Sequence, residues 1–179
     1  MNRHSADDAI RTAFERNDPA GIERLWDRYA SDLLAYLQAV LCSRHDAEDV
    51  LQTVFVRIVR KRRLVANARC LDAYIYQIAR HEASGFLRQQ RRRPRAEPGI
   101  EPWLVAADSN DSRTELAEEL RAALSRLPRA QREVVVLKIY REKTFQQIAA
   151  MLELSLNTVA SRYRYALEKL RTWLKDREP

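Results

Sequence analysis

The stretch 144-TFQQIAAMLELSLNTVASRYR-164 decides how this chain must fold. Thr144 followed three residues later by Gln147 is a capping box, in which hydroxyl and amide satisfy two of the backbone N–H groups that a helix start leaves unpaired. Phe145, Ile148, Ala149 and Leu152 then fall on one face of a short helix. Leu154 sits in a turn, and Ser155 caps a final helix whose inward positions are Val159, Tyr163, Ala166, Leu167, Leu170, Trp173 and Leu174. A short helix, a turn and a second helix that begins with polar residues have the arithmetic of a helix-turn-helix. Asn157, Thr158, Ser161, Arg162 and Arg164 can reach a major groove from that second helix. Amide and guanidinium groups make paired hydrogen bonds to base edges, whereas hydroxyls and further arginines hold phosphates. A plain helical hairpin with a solvated polar face would show the same spacing.

Working outward, Leu116, Leu120, Leu124 and Leu127 mark a preceding helix, and Pro128 opens another that contains Val134, Val135, Leu137 and Ile139. Upstream of these, PRAEPGIEPWLVAADSNDS at 94–112 holds three prolines and a glycine and loses helical periodicity, which predicts a flexible linker. Before the linker the pattern is helical again. Asp18-Pro19 opens a helix with Ile22, Leu25, Trp26, Tyr29, Leu33, Leu37, Val40 and Leu41 on one face. Ser43 caps the next, where the pairs Val50/Leu51, Val54/Phe55 and Ile58/Val59 step by four up to the basic run 60–63. A short connection over 64–69 leads to a third helix with Leu71, Tyr74, Ile75, Ile78, Ala79, Phe86 and Leu87, which ends in the arginines of 88–95. The expectation is an all-α protein of two small helical domains, 1–93 and 113–179, joined by the linker 94–112, with the helix-turn-helix in the second.

Composition narrows the function. The 179 residues carry 32 Lys+Arg against 25 Asp+Glu, a net charge of +7, and only three glycines, so the chain attracts polyanions and favours helices over sheets. Cys42 and Cys70 have no spacing for a disulfide framework or a zinc site, and His4, His45 and His81 form no triad or ligand set. There is no glycine-rich phosphate loop and no nucleophile elbow. The charged N-terminus lacks a signal-peptide core, and no apolar run is long enough to span a membrane. These features predict a cytoplasmic nucleic-acid-binding protein without membrane insertion, catalytic residues, cofactor or metal.

The tail LPRAQREVVVLKIYREKTFQQIAAMLELSLNTVASRYRYALEKLR resembles the promoter-reading region of bacterial extracytoplasmic-function sigma factors. Independently, DAEDVLQTVFVRIVR at 46–60 and AYIYQIARHEASGFLRQQRRR at 73–93 resemble that family's core-binding and promoter-melting domain. The resemblance implies a sigma factor that binds RNA polymerase core and directs initiation at particular promoters. It implies that Asp46, Glu48, Asp49, Gln52 and Phe55 grip the clamp helices of the polymerase's largest subunit. It assigns Arg60, Arg63, Tyr76, Arg80, His81, Arg88 and Arg92 to the minus-ten element, and Asn157, Thr158, Ser161, Arg162 and Arg164 to the minus-thirty-five element. Partners implied are polymerase core, through clamp helices and flap, promoter DNA, and an anti-sigma factor as a possible third.

Without the resemblance, the acidic trio at 46–49 reads as negative charge opposing a helix macrodipole, worth about 0.3 to 1 kcal/mol. Tyr74 reads as an inward core residue. The chain departs from the family where an ARNxxxD pattern is common, with His81 and Gly85 in place of Asn and Asp, and Glu153 replaces the glycine of the helix-turn-helix turn. A conventional regulator would account for the second half only. A helical adaptor for acidic proteins or lipids fits less well, because the basic clusters end two separate helices.

Overall fold

The computed structural model describes residues 3–92, 120 and 122–175; the expected linker 94–112, Leu116 and the side chain of Arg92 lie outside the described residues. All described elements are helical: α1 (Arg3–Glu15), α2 (Ala20–Leu41), α3 (Arg44–Arg60), α4 (Arg62–Ala66), α5 (Leu71–Arg92), α6 (122–126), α7 (Arg129–Val135), a π-helical turn (Val136–Tyr140), α8 (Phe145–Leu152) and α9 (Leu156–Lys175).

The expected caps form. Asp18 accepts from the Ala20 N–H at 3.0 Å, Ser43 from the Asp46 N–H at 3.2 Å, and Ser155 from the Thr158 N–H at 3.1 Å. Thr144 and Gln147 make both bonds of the capping box, at 3.2 and 2.8 Å. Helix α1 and the single turn α4 are additions to the sequence expectation. Ile10, Ala13 and Phe14 bury one side of α1 against α2, where Gly21 gives way to the Phe14 ring: a Cβ there would lie 2.8 Å from Phe14 Cδ1. Helix α5 runs through Gly85 without interruption.

Two consequences of turn geometry shape the second half. The π-helical turn widens the backbone by one residue, and Ile139, on the expected apolar face, is carried to the surface. Glu153 closes α8 in the left-handed conformation, φ 53° and ψ 49°, so this chain builds the usual turn with a side chain that pays a steric penalty there. Glu153→Gly is expected to raise stability by about 1 kcal/mol, less the greater unfolded-state entropy of glycine, read as a higher urea midpoint at unchanged m-value.

The halves share a core. Tyr36, Leu37, Ile75 and Tyr76 belong to one buried cluster with Val134, Leu137, Ile148, Met151, Leu152 and Val159. A second cluster joins Ala39 of α2 to Leu124, Leu127, Val135, Val136, Ala166 and Leu170. Arg132, only 7% exposed, threads between them and donates to the carbonyls of Ser125 at 2.9 Å and Val40 at 3.3 Å, closing the ends of α6 and α2. Burial lowers its pKa.

Candidate nucleic-acid interface and polymerase-docking surface

At 100° per residue, the exposed positions of α3 other than Arg44 form one stripe: His45, Asp49, Gln52, Thr53, Val56 and Arg60. Asp49 and Gln52 stand open on it. Asp46 and Glu48 are half-buried and already engaged: Asp46 accepts from Gln90 at 3.0 Å, and Glu48 from Arg44 at 2.9 Å. Phe55 is buried with its ring 4.6 Å from that of Trp26 on α2. Trp26 is 47% exposed and Val56 50%, so the stripe carries two apolar groups that sequence reasoning did not assign to it. Val56 was legible as the residue outside the four-step apolar pairs; the approach of Trp26 to Phe55 was not, because it depends on how α2 crosses α3.

Of the residues assigned to the minus-ten element, Arg60, Arg63, His81 and Arg88 are exposed, and His81 and Arg88 share an α5 face with Tyr74 and Gly85. Tyr76 and Arg80 point elsewhere. Tyr76 is 1% exposed and meets Tyr36 edge to face at 5.4 Å, so it offers no open ring here, whereas Tyr74 is only half-buried. Arg80 donates to the Leu152 carbonyl at the end of α8, at 2.8 Å, and lies 3.7 Å from the buried carboxylate of Glu133. Arg80 is therefore occupied by the second half, whereas Tyr76 packs within the first half on Tyr36 of α2, with the Lys143 ammonium 6.0 Å from its ring centre.

On α9 the buried positions are Val159, Ala166 and Leu170, and Asn157, Ser161, Arg164 and Glu168 lie on the opposite side. Asn157 and Arg164 are exposed. The Thr158 hydroxyl pairs with Ser155 at 2.8 Å and the Ser161 hydroxyl donates to the Thr158 carbonyl at 3.0 Å, so both are engaged within the helix end. Arg162 is half-buried on the flank. Arg164 lies 5.0 Å over the ring of Tyr165 and 4.0 Å from Glu168, one turn on. Leu156, 46% exposed at the first turn, adds an apolar group beside Asn157. Among the described residues no cluster of His, Cys, Asp and Glu could hold a metal, and no helix is long and apolar enough to cross a membrane.

Residues 25–93 match the family described as Sigma-70 region 2, and residues 123–172 match Sigma-70, region 4. The chain is 28% identical over 169 residues to the ECF RNA polymerase sigma factor RpoE of Cereibacter sphaeroides, covering 90% of this chain and 91% of that one. It is 31% identical over 135 residues to the RNA polymerase sigma-E factor of Streptomyces avermitilis, covering 74% and 73%. This chain is an extracytoplasmic-function sigma factor. It therefore directs promoter-specific transcription initiation, with RNA polymerase and promoter DNA as its partners. The fold of the sigma factor is similar to that of CnrH in complex with the cytosolic domain of CnrY, with a TM-score of 0.74 at 21% identity over 97% of this chain and 99% of that one. It is also similar to RpoE in complex with the anti-sigma factor NepR from Bartonella quintana, with a TM-score of 0.70 at 21% identity over 87% and 98%.

Proposed function

We propose that this sigma factor docks on the polymerase clamp helices through the outer stripe of α3 and reads the minus-thirty-five element through the outer face of α9. The observation that carries this reading is the placement of Asn157 and Arg164 opposite Val159, Ala166 and Leu170, where they can enter a groove without disturbing the core. Asp49 and Gln52, with Val56 and Trp26 beside them, make the docking stripe; Phe55 supports it from the α2 side, Asp46 from the α5 side, and Glu48 through its pair with Arg44 on α3 itself. Arg60, Arg63, His81, Arg88 and Arg92 supply the basic track for the minus-ten strand, which Tyr76 and Arg80 join when the halves separate. The working units are residues 1–93 and 113–179, joined by 94–112. The protein acts in the cytoplasm, supplies no catalytic group of its own, contacts the polymerase flap through its second half, and accepts an anti-sigma factor.

Run-off transcription with purified core tests the activity, and core binding by fluorescence anisotropy tests the surface. Asp49→Arg and Gln52→Ala are each expected to weaken core binding several-fold or more, with helicity by circular dichroism unchanged. Since both side chains are exposed and outside the core, undiminished affinity in both variants would move the docking surface elsewhere.

A further inference from the structure

Helix α1 lies before residues 25–93, which match Sigma-70 region 2, and none of the docking or reading residues belongs to it. It is nevertheless tied down at several points. Asp7 pairs with Arg28 at 2.9 Å and accepts from the Tyr29 hydroxyl at 3.4 Å, Arg24 donates to the Ala9 carbonyl at 3.4 Å, and Phe14 fills the space over Gly21. In turn α1 carries α4: Ile10 and Phe14 share a buried cluster with Val65 and Ala66, and Arg11 Nη1 donates to the Ala66 carbonyl at 2.8 Å. A helix of five residues is far too short to persist by itself, and its last carbonyls have no partner inside it. The Asn67 side-chain amide closes one of them by donating to the Arg63 carbonyl at 2.8 Å, and Arg11 closes the last. What this turn carries outward is Arg63 and Leu64, the latter at 59% the most exposed large apolar side chain among the described residues. An apolar group beside cations suits an unpaired strand, which presents base faces and phosphates together.

We propose that Arg11 is a positioning residue for minus-ten recognition: by holding the Ala66 carbonyl from α1 it fixes the single turn α4, so that Arg63 and Leu64 meet the unpaired strand already in place. The inference rests on the reading of Arg60 and Arg63 as minus-ten contacts. Arg11 acts through α4 and makes no contact with the strand itself. A segment ordered before binding does not have to be ordered by it, and the apparent affinity of a site falls in proportion to the fraction of molecules in which the site is formed. Helix α1 thus passes the position of α2, through Asp7, Phe14 and Arg11, to the turn that faces the strand.

The test uses the full chain assembled with polymerase core, and two fluorescein-labelled DNAs cut from a promoter mapped by run-off transcription. One is a fork, duplex upstream and single-stranded over the minus-ten element; the other is the upstream duplex alone. Arg11→Met is expected to weaken fork binding by anisotropy about fivefold, as when the fraction of molecules with α4 in place falls to about a fifth, and to leave the upstream duplex unchanged. Arg63→Ala with Leu64→Ser, which strips the outer face of α4, weakens the fork as well. In that stripped background Arg11→Met adds little, because two changes that act through one element do not multiply. Losses that do multiply overturn the proposal, since Arg11 then works on the strand by its own contact or charge. Equal losses on fork and duplex overturn it too, making Arg11 a general stabiliser of the fold. A fork affinity that survives Arg11→Met but falls in the stripped variant overturns the positioning role and leaves the minus-ten reading of Arg63 standing. Unchanged fork affinity in both variants takes α4 out of minus-ten recognition, and the role of Arg11 with it.

Discussion

Tyr36→Ala lowers the stability of the whole molecule by about 3 to 5 kcal/mol, the range for emptying a large aromatic site in a packed core. Tyr36 is fully buried on α2 with its ring against Tyr76, and the charges of Glu133, Arg129 and Arg80 from both halves surround it, so the cavity opens where the halves meet. Tyr36→Phe has the opposite character. The hydroxyl finds no hydrogen-bond partner among the described residues, so its removal is expected to be neutral or to stabilise by up to about 1 kcal/mol. Burial, with the Glu133 charge adding to it, holds the Tyr36 phenol well above its ordinary pKa of 10.0. The unfolded chain thus loses this proton first, and stability falls as pH rises past that value; Tyr36→Phe removes this share of the alkaline loss. Urea unfolding of both variants at neutral pH and above pH 10 checks the pair. A Tyr36→Ala midpoint equal to wild type would mean that the two tyrosines do not anchor the core that α2 and α5 share with the second half.

Arg164→Ala or Asn157→Ala reduces transcription selectively from promoters with an intact minus-thirty-five element. A base-reading side chain is typically worth about 1 to 3 kcal/mol on its preferred sequence, or roughly 5- to 150-fold in binding, and its loss blurs discrimination at that position. A phosphate contact behaves differently, weakening all sequences and making the salt dependence shallower. Both side chains project from α9 into solvent, so neither change should alter the fold. Paired templates that differ only in the upstream element, assayed across a salt series, separate the two roles. Equal losses on both templates would make Asn157 and Arg164 electrostatic contacts only. Arg164 has a further signature: Glu168→Gln, which removes the carboxylate beside it, is expected to tighten binding to every sequence while leaving the ratio between templates little changed.

Much of this protein is local and was therefore legible in one dimension. Ser43, Thr144 with Gln147, and Ser155 announce helix starts because a cap satisfies backbone donors within three residues of itself. The four-step pairs of α3 and the spacing of Val159, Ala166 and Leu170 identify buried faces because helical periodicity is a property of the chain alone. The same arithmetic places Asn157, Arg164, Asp49 and Gln52 outward. Helix α1 lay within reach of this argument, since Ile10 and Phe14 are four apart, but a single pair is a weak signal without the Gly21 surface that receives it. Glu153 is the informative exception: sequence marks the position as one that favours glycine, and only the surrounding helices, packed to either side, hold a glutamate in the left-handed conformation there.

What periodicity cannot reach is which outward residue of one half meets which of the other. Arg80 occupies an α5 position that sequence alone leaves indistinguishable from other basic sites, and its partners in the second half, Glu133 and Leu152, lie 53 and 72 residues away along the chain. Arg132 reads as one more surface arginine in a basic chain until Val40, 92 residues distant, comes within 3.3 Å of it. The sequence by itself determined an all-helical sigma factor, its helix ends, its helix-turn-helix and the outward placement of Asp49, Gln52, Asn157 and Arg164, because each of these depends on neighbours within a few turns. The tertiary structure decided that α5 packs against the second half, because that contact is set by ion pairs and core contacts between residues that only packing brings together.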